Sequence, residues 1–176
     1  MKILIIYGTS EGQTRKIARF MEEFLQEKGH QVVIADSSEE PPAVGDYEFV
    51  LIGGSVHMHK YQNSIRNYIM ENVDALNTKH SAFFSVCLAV ASDIEEEHKD
   101  ADGITRDFLE QTGWSPKETI QIAGALRFTK YDYFKKLIMR MITNKKGGKI
   151  DTSKDHEYTD WDQVKGFIQG FIECKK

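Results

Sequence analysis

The chain has little cysteine and proline and no long apolar run. Its two cysteines, Cys87 and Cys174, fit neither a CxxC nor a metal-finger spacing. We therefore expect free thiols in a reducing cytoplasm rather than a disulfide-stabilised secreted fold. No apolar run approaches the roughly 20 residues that a membrane-spanning helix needs. The first apolar stretch, ILIIY, is too short for a signal peptide.

Two common nucleotide-binding fingerprints are also missing. The first loop, YGTSEGQT, is not followed by Gly-Lys-Ser/Thr, which excludes a Walker A loop, and it does not match the GxGxxG dinucleotide pattern. We expect no nucleic-acid partner for a chain of net charge −4.

Apolar runs and helical spacings alternate along the chain, which predicts an α/β fold with a parallel sheet and right-handed crossovers. There is no internal repeat or linker, so we expect one domain over residues 1–176. The predicted strands span 3–7, 31–35, 47–55, 81–90 and 119–126, and the predicted helices span 14–28, 63–73, 101–112 and 161–172.

The first loop follows a buried strand and precedes a helix, where unpaired N–H groups favour an anion. Thr9, Ser10 and Thr14 add hydroxyl donors, Gln13 adds an amide, and Gly12 lets the backbone approach closely. The pattern predicts a phosphate held by uncharged side chains. The alternative is an ordinary N-capped helix, with Ser10 or Thr9 as its cap.

Positive charge is concentrated in residues 127–149, where one acidic residue, Asp132, stands among eight basic ones. On a helix, an apolar stripe from Tyr131 to Met141 would face away from Lys135 and Arg140. Such a segment suits an anionic membrane or a flat, acidic, apolar ligand. Alternatively, the stripe packs on the sheet and the charges are solvated. The basic residues are Arg127, Lys130, Lys135, Lys136, Arg140, Lys145, Lys146 and Lys149.

The loop TSEGQT resembles the T/S-x-T-G-x-T loop that binds the FMN phosphate in flavodoxins. The resemblance implies FMN as cofactor and a three-layer sandwich with five parallel strands in the order 2-1-3-4-5. Glu11 and Gly12 stand where flavodoxins usually have Thr-Gly. Because a phosphate would repel a carboxylate, we expect Glu11 to point to solvent and to contribute only its N–H.

The same resemblance implies that the loops after strands 3 and 4 enclose the flavin ring, and that Gly53 and Gly54 let the ring approach the backbone. Alternatively, His57 and His59 form a metal-binding HxH pair, although we expect no metal. Cys87 either faces the flavin or is a buried, inert thiol. The implied ring-binding residues are Ser55, Val56, His57, Met58, Ser85, Val86, Cys87, Leu88 and Ala89.

A narrower resemblance extends over the whole chain. Its pieces are EGQT (11–14), SAFFSV (81–86), AGALRF (123–128), GG (147–148), DT (151–152) and YTDW (158–161). Together they resemble the bacterial menaquinone-dependent protoporphyrinogen oxidases, which are flavodoxin-like proteins with an insertion after strand 5. Here that insertion is the basic, aromatic segment at 127–149.

This resemblance implies FMN-dependent dehydrogenation of protoporphyrinogen IX to protoporphyrin IX in haem biosynthesis, with a membrane quinone as electron acceptor. The chain would be cytoplasmic, with peripheral contact to the inner face of the cell membrane through 127–149. FMN N5 would carry the chemistry, and no side chain is assigned as catalytic, although Tyr131 or His57 could assist a proton. The implied substrate-binding residues are Arg127, Phe128, Lys130, Tyr131, Tyr133 and Phe134.

Two other functions remain open for a chain of this pattern. One is a flavodoxin-type electron carrier, for which Glu95–Glu97 would form part of an acidic docking surface. The other is an FMN-dependent quinone reductase fed by a nicotinamide cofactor.

Overall fold

The computed structural model describes residues 1–127, 131–144, 151 and 153–173, and within 131–144 it describes the side chains of residues 132 and 134–140. Five parallel strands form one sheet in the order β2-β1-β3-β4-β5, as predicted. These strands are β1 (Lys2–Gly8), β2 (Gln31–Asp36), β3 (Phe49–Ser55), β4 (His80–Cys87) and β5 (Glu118–Ala123).

Helices cover both faces of the sheet, which confirms the three-layer arrangement. On one face α1 and α5 pack against Ile3 and Ile5, and on the other α2 and α3 pack against Leu4 and Ile6. The four side chains at the centre of β1, Ile3–Ile6, are all fully buried, because a parallel sheet between two helical layers is apolar on both sides. The helices are α1 (Gln13–Glu27), α2 (Asn63–Thr78), α3 (Glu95–Thr112), α4 (Tyr131–Asn144) and α5 (Trp161–Glu173).

Two predicted boundaries around β4 were wrong. The strand ends at Cys87 rather than at Val90, and a 3₁₀ turn over Leu88–Ala91 follows it. The next helix begins at Glu95 rather than at Ala101, so the acidic run Glu95–Glu97 forms its first turn. Carboxylates are favourable at a helix N-terminus, and this is why an acidic stretch without apolar periodicity is helical.

The predicted fifth strand is also interrupted. It ends at Ala123, and Ala125–Leu126 forms a separate strand, β6, that pairs antiparallel with β7 (His156–Glu157). The basic segment that contains α4 therefore lies between β6 and β7 in the chain, and these two strands form a two-stranded ribbon at its ends.

The part of the apolar stripe of α4 whose side chains are described, Phe134, Leu137 and Ile138, is packed rather than exposed. Ile138 is fully buried in a cluster with Leu88 and Leu126, and Phe134 and Leu137 pack against the same cluster. Leu88 lies just beyond the carboxyl end of β4. The helix therefore covers the end of the sheet where ligands bind in open α/β folds.

The glycines at the end of β3 make room for core aromatic rings. A Cβ on Gly53 would lie 2.0 Å from ring carbons of Phe84, and one on Gly54 would lie 2.8 Å from Cδ1 of Tyr61. Phe84 and Tyr61 are buried on opposite faces of the sheet. The two glycines therefore have a packing role, and their contact with a flavin ring stays a prediction.

We expect Gly53→Ala to lower the free energy of unfolding by about 3 kcal/mol, because the added methyl group overlaps the Phe84 ring. Gly166→Ala is the matched control, because Gly166 is an exposed helical residue with nothing within 4 Å of its added Cβ. That control should raise the free energy of unfolding by about 0.5–1 kcal/mol. Urea unfolding measures both changes, and equal stabilities of Gly53→Ala and the parent would contradict the packing role.

Candidate functional site

The loop between β1 and α1 forms the first wall of the site. Gly12 is the N-cap of α1 and has a φ of 90°, a left-handed conformation that favours glycine. Its N–H donates to Thr9 Oγ1 at 2.8 Å, so Thr9 closes the loop instead of capping the helix. Because glycine has no side chain, the N-cap leaves the first-turn N–H groups of α1 open toward an anion.

Thr14 gives the clearest sign that a ligand belongs at this loop. Its side chain is fully buried, and its Oγ1 has no hydrogen-bond partner among the described residues. Leaving a buried hydroxyl unsatisfied costs about 1–3 kcal/mol. Gln13 beside it is buried too, but its Nε2 donates to Thr159 Oγ1 at 2.9 Å. The loop therefore fits a phosphate that accepts hydrogen bonds from the Thr14 hydroxyl and from backbone N–H groups.

Glu11 differs from the expectation that its side chain points to solvent. The residue is half-buried, its Oε1 is shielded from solvent, and it lines the small pocket at the loop together with Ser10. A shielded carboxylate near a phosphate increases the need for positive charge at this loop.

The ends of β1 and β3 are joined by Gln62. Its Nε2 lies 2.7 Å from Ser55 Oγ and 3.0 Å from Ser10 Oγ, within donating distance of both hydroxyl oxygens. The Ser10 N–H donates to the same Ser55 hydroxyl oxygen at 3.3 Å. These contacts hold the first and second loops of the site in one arrangement.

The loop after β3 turns tightly at its tip. His57 and Lys60 exchange two backbone hydrogen bonds, of 2.9 and 3.1 Å, across the turn. Met58 and His59 at the tip have φ values of 50° and 59°, in a region that non-glycine residues rarely adopt. The turn leaves the Met58 side chain 64% exposed beside the groove described below. Val56 and His57 line the small pocket at the phosphate loop.

Most of the predicted residues at the end of β4 line the pocket or the groove. Val86 and Leu88 line the small pocket, and Cys87, Leu88 and Ala89 line the groove. Burial raises the pKa of the Cys87 thiol, so the group stays protonated near neutral pH.

Ser85 does not belong to the site as predicted. It is fully buried, and its Oγ accepts a hydrogen bond of 2.7 Å from the Tyr61 hydroxyl. Successive side chains of a strand point to opposite faces, so the Ser85 hydroxyl is directed into the core next to α2 and α3.

A groove of about 550 Å³ lies between the loop after β3, the 3₁₀ turn, α3 and α4. Its apolar surface comes from residues such as Leu88, Phe134 and Leu137, and its charged rim comes from both helices. The charged residues are Glu97 and Asp100 on α3 and Lys136 and Arg140 on α4.

An ion pair joins the two walls of this groove. Arg140 Nη1 donates to Glu97 Oε1 at 2.5 Å, and the hydrogen bond raises the pKa of the Arg140 guanidinium. The Glu97 side chain is only 10% exposed. The acidic start of α3 therefore does not simply repel anionic ligands, because its buried carboxylate is neutralised from α4.

Arg127 lies at the phosphate loop rather than in the groove. Its Nη1 donates to Asp155 Oδ2 at 2.8 Å, and its Nη2 is 3.8 Å from the position that a Cβ would take on Gly12. Arg127 is not among the residues that line the groove, and its contact with substrate carboxylates stays a prediction.

Of the other predicted substrate residues, Phe134 lines both the pocket and the groove. Phe128 and Lys130 lie outside the described residues, as do the side chains of Tyr131 and Tyr133.

Sequence patterns do not predict the roles of Gln62 and Thr159. Their partners in the first loop, Ser10 and Gln13, are 52 and 146 residues away along the chain. Thr159 lies within the YTDW motif, which is the only sequence signal that marks it.

The described residues contain neither a metal-binding cluster nor a membrane-spanning helix. No group of three or more His, Cys, Asp or Glu side chains in 1–127, 131–144, 151 and 153–173 is placed to hold a metal ion, so His57 and His59 find no third ligand there. Nor does any helix in that part of the chain have the length and apolar character needed to span a bilayer.

Comparison with solved structures places the fold among flavodoxins. Oxidised flavodoxin 1 from Bacillus cereus is 13% identical and superimposes with a TM-score of 0.57, covering 98% of each chain. Oxidised flavodoxin 2 from the same organism is 18% identical, with a TM-score of 0.53, and covers 98% of this chain and 99% of its own.

Sequence comparison is more specific. Residues 4–153 match the family model described as Flavodoxin domain, which indicates flavin binding. The protoporphyrinogen IX dehydrogenase [quinone] of Escherichia coli (strain K12) is 36% identical over 170 residues, covering 96% of this chain and 93% of that protein. The protein of the same name from Leishmania major is 32% identical over 174 residues, covering 97% of this chain and 74% of the relative. This chain therefore belongs to the flavodoxin domain family and, within it, to the family of the protoporphyrinogen IX dehydrogenases [quinone].

Proposed function

We propose that this protein binds FMN and dehydrogenates protoporphyrinogen IX to protoporphyrin IX, passing electrons to a quinone. The observation that carries the proposal is a groove with an apolar floor and a partly basic rim directly beside a phosphate-binding loop. Likeness over 96% of the chain to proteins of that activity supports it. In each oxidation step the substrate would give up two electrons and two protons, and a quinone would take them to become a quinol.

FMN is favoured over a dinucleotide flavin by the first loop. The buried Thr14 hydroxyl and the uncapped start of α1 suit a terminal phosphate. Val56, His57, Leu88 and Ala89 would hold the flavin ring between the two following loops. Bound FMN would supply the two-electron redox chemistry at its N5.

The groove would hold and orient the porphyrinogen. Phe134, Leu88 and Leu137 would contact the apolar macrocycle and exclude water from it. Lys136 on one rim would pair with the propionates, and Asp100 on the opposite rim would accept hydrogen bonds from pyrrole N–H groups. No described side chain needs to act as an acid or base in this arrangement.

Membrane contact belongs to the same proposal. Lys135 and Met139 are exposed on α4 and do not line the groove, and a basic and an apolar group together suit an anionic bilayer surface. The protein would then be cytoplasmic and would meet the quinone at the inner face of the cell membrane.

An anaerobic assay tests the function directly. We expect protoporphyrinogen IX to bleach the flavin of the FMN-loaded protein and a menaquinone analogue to restore its absorbance, while porphyrin fluorescence rises. The quinone is offered in anionic vesicles and, separately, in neutral detergent micelles. Faster turnover with vesicles supports membrane contact. Flavin that is reduced only by a nicotinamide, or only by a ferredoxin-type partner, would instead identify a quinone reductase or an electron carrier.

Thr14→Val tests the phosphate site. The substitution removes the unsatisfied hydroxyl but keeps the side-chain shape, so the FMN-free protein should be equally stable or up to about 1 kcal/mol more stable. FMN binding should weaken about tenfold, the loss expected for one hydrogen bond to a charged phosphate. Urea unfolding and flavin fluorescence quenching measure the two effects.

Thr105→Val is the control, because it removes a buried threonine hydroxyl that does have hydrogen-bond partners. The Thr105 hydroxyl is buried with partners, 2.6 Å from the Tyr61 hydroxyl and 3.1 Å from the Ala101 carbonyl oxygen. This variant should lose about 1–3 kcal/mol of stability without a specific loss of FMN affinity. A Thr14→Val protein that binds FMN as tightly as the parent would count against the site.

Lys136→Gln tests substrate recognition at the groove. Removing this charge should raise KM for protoporphyrinogen IX about three- to tenfold with little change in kcat, because only an initial binding contact is lost. Lys135→Gln is the matched control, since Lys135 is equally exposed on α4 but does not line the groove. If both variants raise KM equally, general charge attraction rather than the groove explains the effect.

A further inference from the structure

A cation that the first loop does not itself contain lies next to the phosphate site. Arg127 follows β6, and its Nη2 is 3.8 Å from the Cβ position of Gly12, the residue at which α1 begins. We infer that Arg127 supplies the positive charge that neutralises the phosphate of the bound mononucleotide. The inference rests on the proposed FMN site and replaces the expectation of a phosphate held by uncharged groups alone.

The contacts of Arg127 leave part of its guanidinium available. Nη1 is held by Asp155, whereas Nη2 is directed toward the start of α1. A guanidinium has five N–H donors in a fixed plane, so it can keep the carboxylate on one nitrogen and bind a phosphate oxygen with the other. The Arg127–Asp155 pair is 39% and 50% exposed, and ion pairs with that exposure are weak competitors for a phosphate.

The first loop itself lacks a full positive charge, because residues 7–14 contain no lysine or arginine. The hydroxyl groups and helix N–H groups offer only partial charges. A guanidinium beside Gly12 supplies a full positive charge without a lysine in the loop.

The position of Arg127 is fixed by the ribbon that carries it. β6 pairs with β7, β7 contacts α1 through the Lys16–Glu157 ion pair of 2.5 Å, and the segment after β7 contacts α1 through the Gln13–Thr159 hydrogen bond. The basic segment would therefore contribute its first residue, Arg127, to the phosphate site, while its helix, α4, covers the groove.

Arg127→Gln is the test, read out as dissociation constants for FMN and for riboflavin, which lacks the phosphate. We expect the variant to bind FMN about tenfold more weakly at low ionic strength and riboflavin as well as the parent does. The loss should shrink at high salt, where exposed charges are screened. Asp155→Asn, which frees Arg127 from its competing carboxylate, should bind FMN at least as tightly as the parent.

Arg19→Gln is the matched control for the loss of one positive charge on α1. The Arg19 guanidinium is paired with Glu22 of the same helix at 2.7 Å and takes no part in the contacts that hold the ribbon. This control should change both flavin affinities by less than about twofold, as expected for an exposed ion pair.

Two results would overturn the role of Arg127. One is an unchanged FMN affinity in Arg127→Gln, and the other is an equal loss of FMN and riboflavin, which would indicate a structural effect on the ribbon. If the parent protein binds neither flavin, the proposed function and this inference fail together. If FMN binding shows the expected Arg127 dependence but porphyrinogen is not oxidised, only the proposed reaction fails.

Discussion

The buried hydroxyl of Thr14 is the constraint on which the site depends. It sits at the start of α1, fully enclosed and without a partner among the described residues, while Gln13 next to it is satisfied by Thr159. Folding thus leaves one donor unused at the place where helix N–H groups also point outward. An oxygen-rich anion satisfies both sets of donors, so part of the free energy that this loop loses on folding is recovered on binding.

The basic segment after β5 would contribute to two parts of the proposed site. Its helix, α4, buries Ile138 against Leu88 and thereby closes the groove over the carboxyl end of β4. The ribbon of β6 and β7 precedes Arg127, whose guanidinium lies beside Gly12. One continuous segment could therefore affect both cofactor affinity and substrate recognition, because β7 also contacts α1.

The sequence was sufficient for the order of the sheet strands, and insufficient wherever side chains distant in sequence meet. Apolar runs predicted all five strands, although the ends of β4 and β5 were misplaced. Ser85 was misplaced because a motif names positions but not the face of the strand on which each side chain lies. A basic run in the sequence does not reveal that the Arg127 guanidinium lies beside Gly12. Glu95–Glu97 were not recognised as helical because their stabilisation comes from the helix end rather than from apolar spacing.

The uneven charge distribution of the chain follows from these contacts. A net charge of −4 hides a basic segment at 127–149 and acidic residues elsewhere, and the described part of the basic segment meets acidic partners at two places. Arg140 neutralises Glu97 across the groove, and Arg127 holds Asp155 at the phosphate loop. Each pair places a cation at a position where the proposed ligands carry carboxylate or phosphate groups. An anionic ligand would then compete with a protein carboxylate for a cation already in place, which costs less reorganisation than ordering a solvated lysine would.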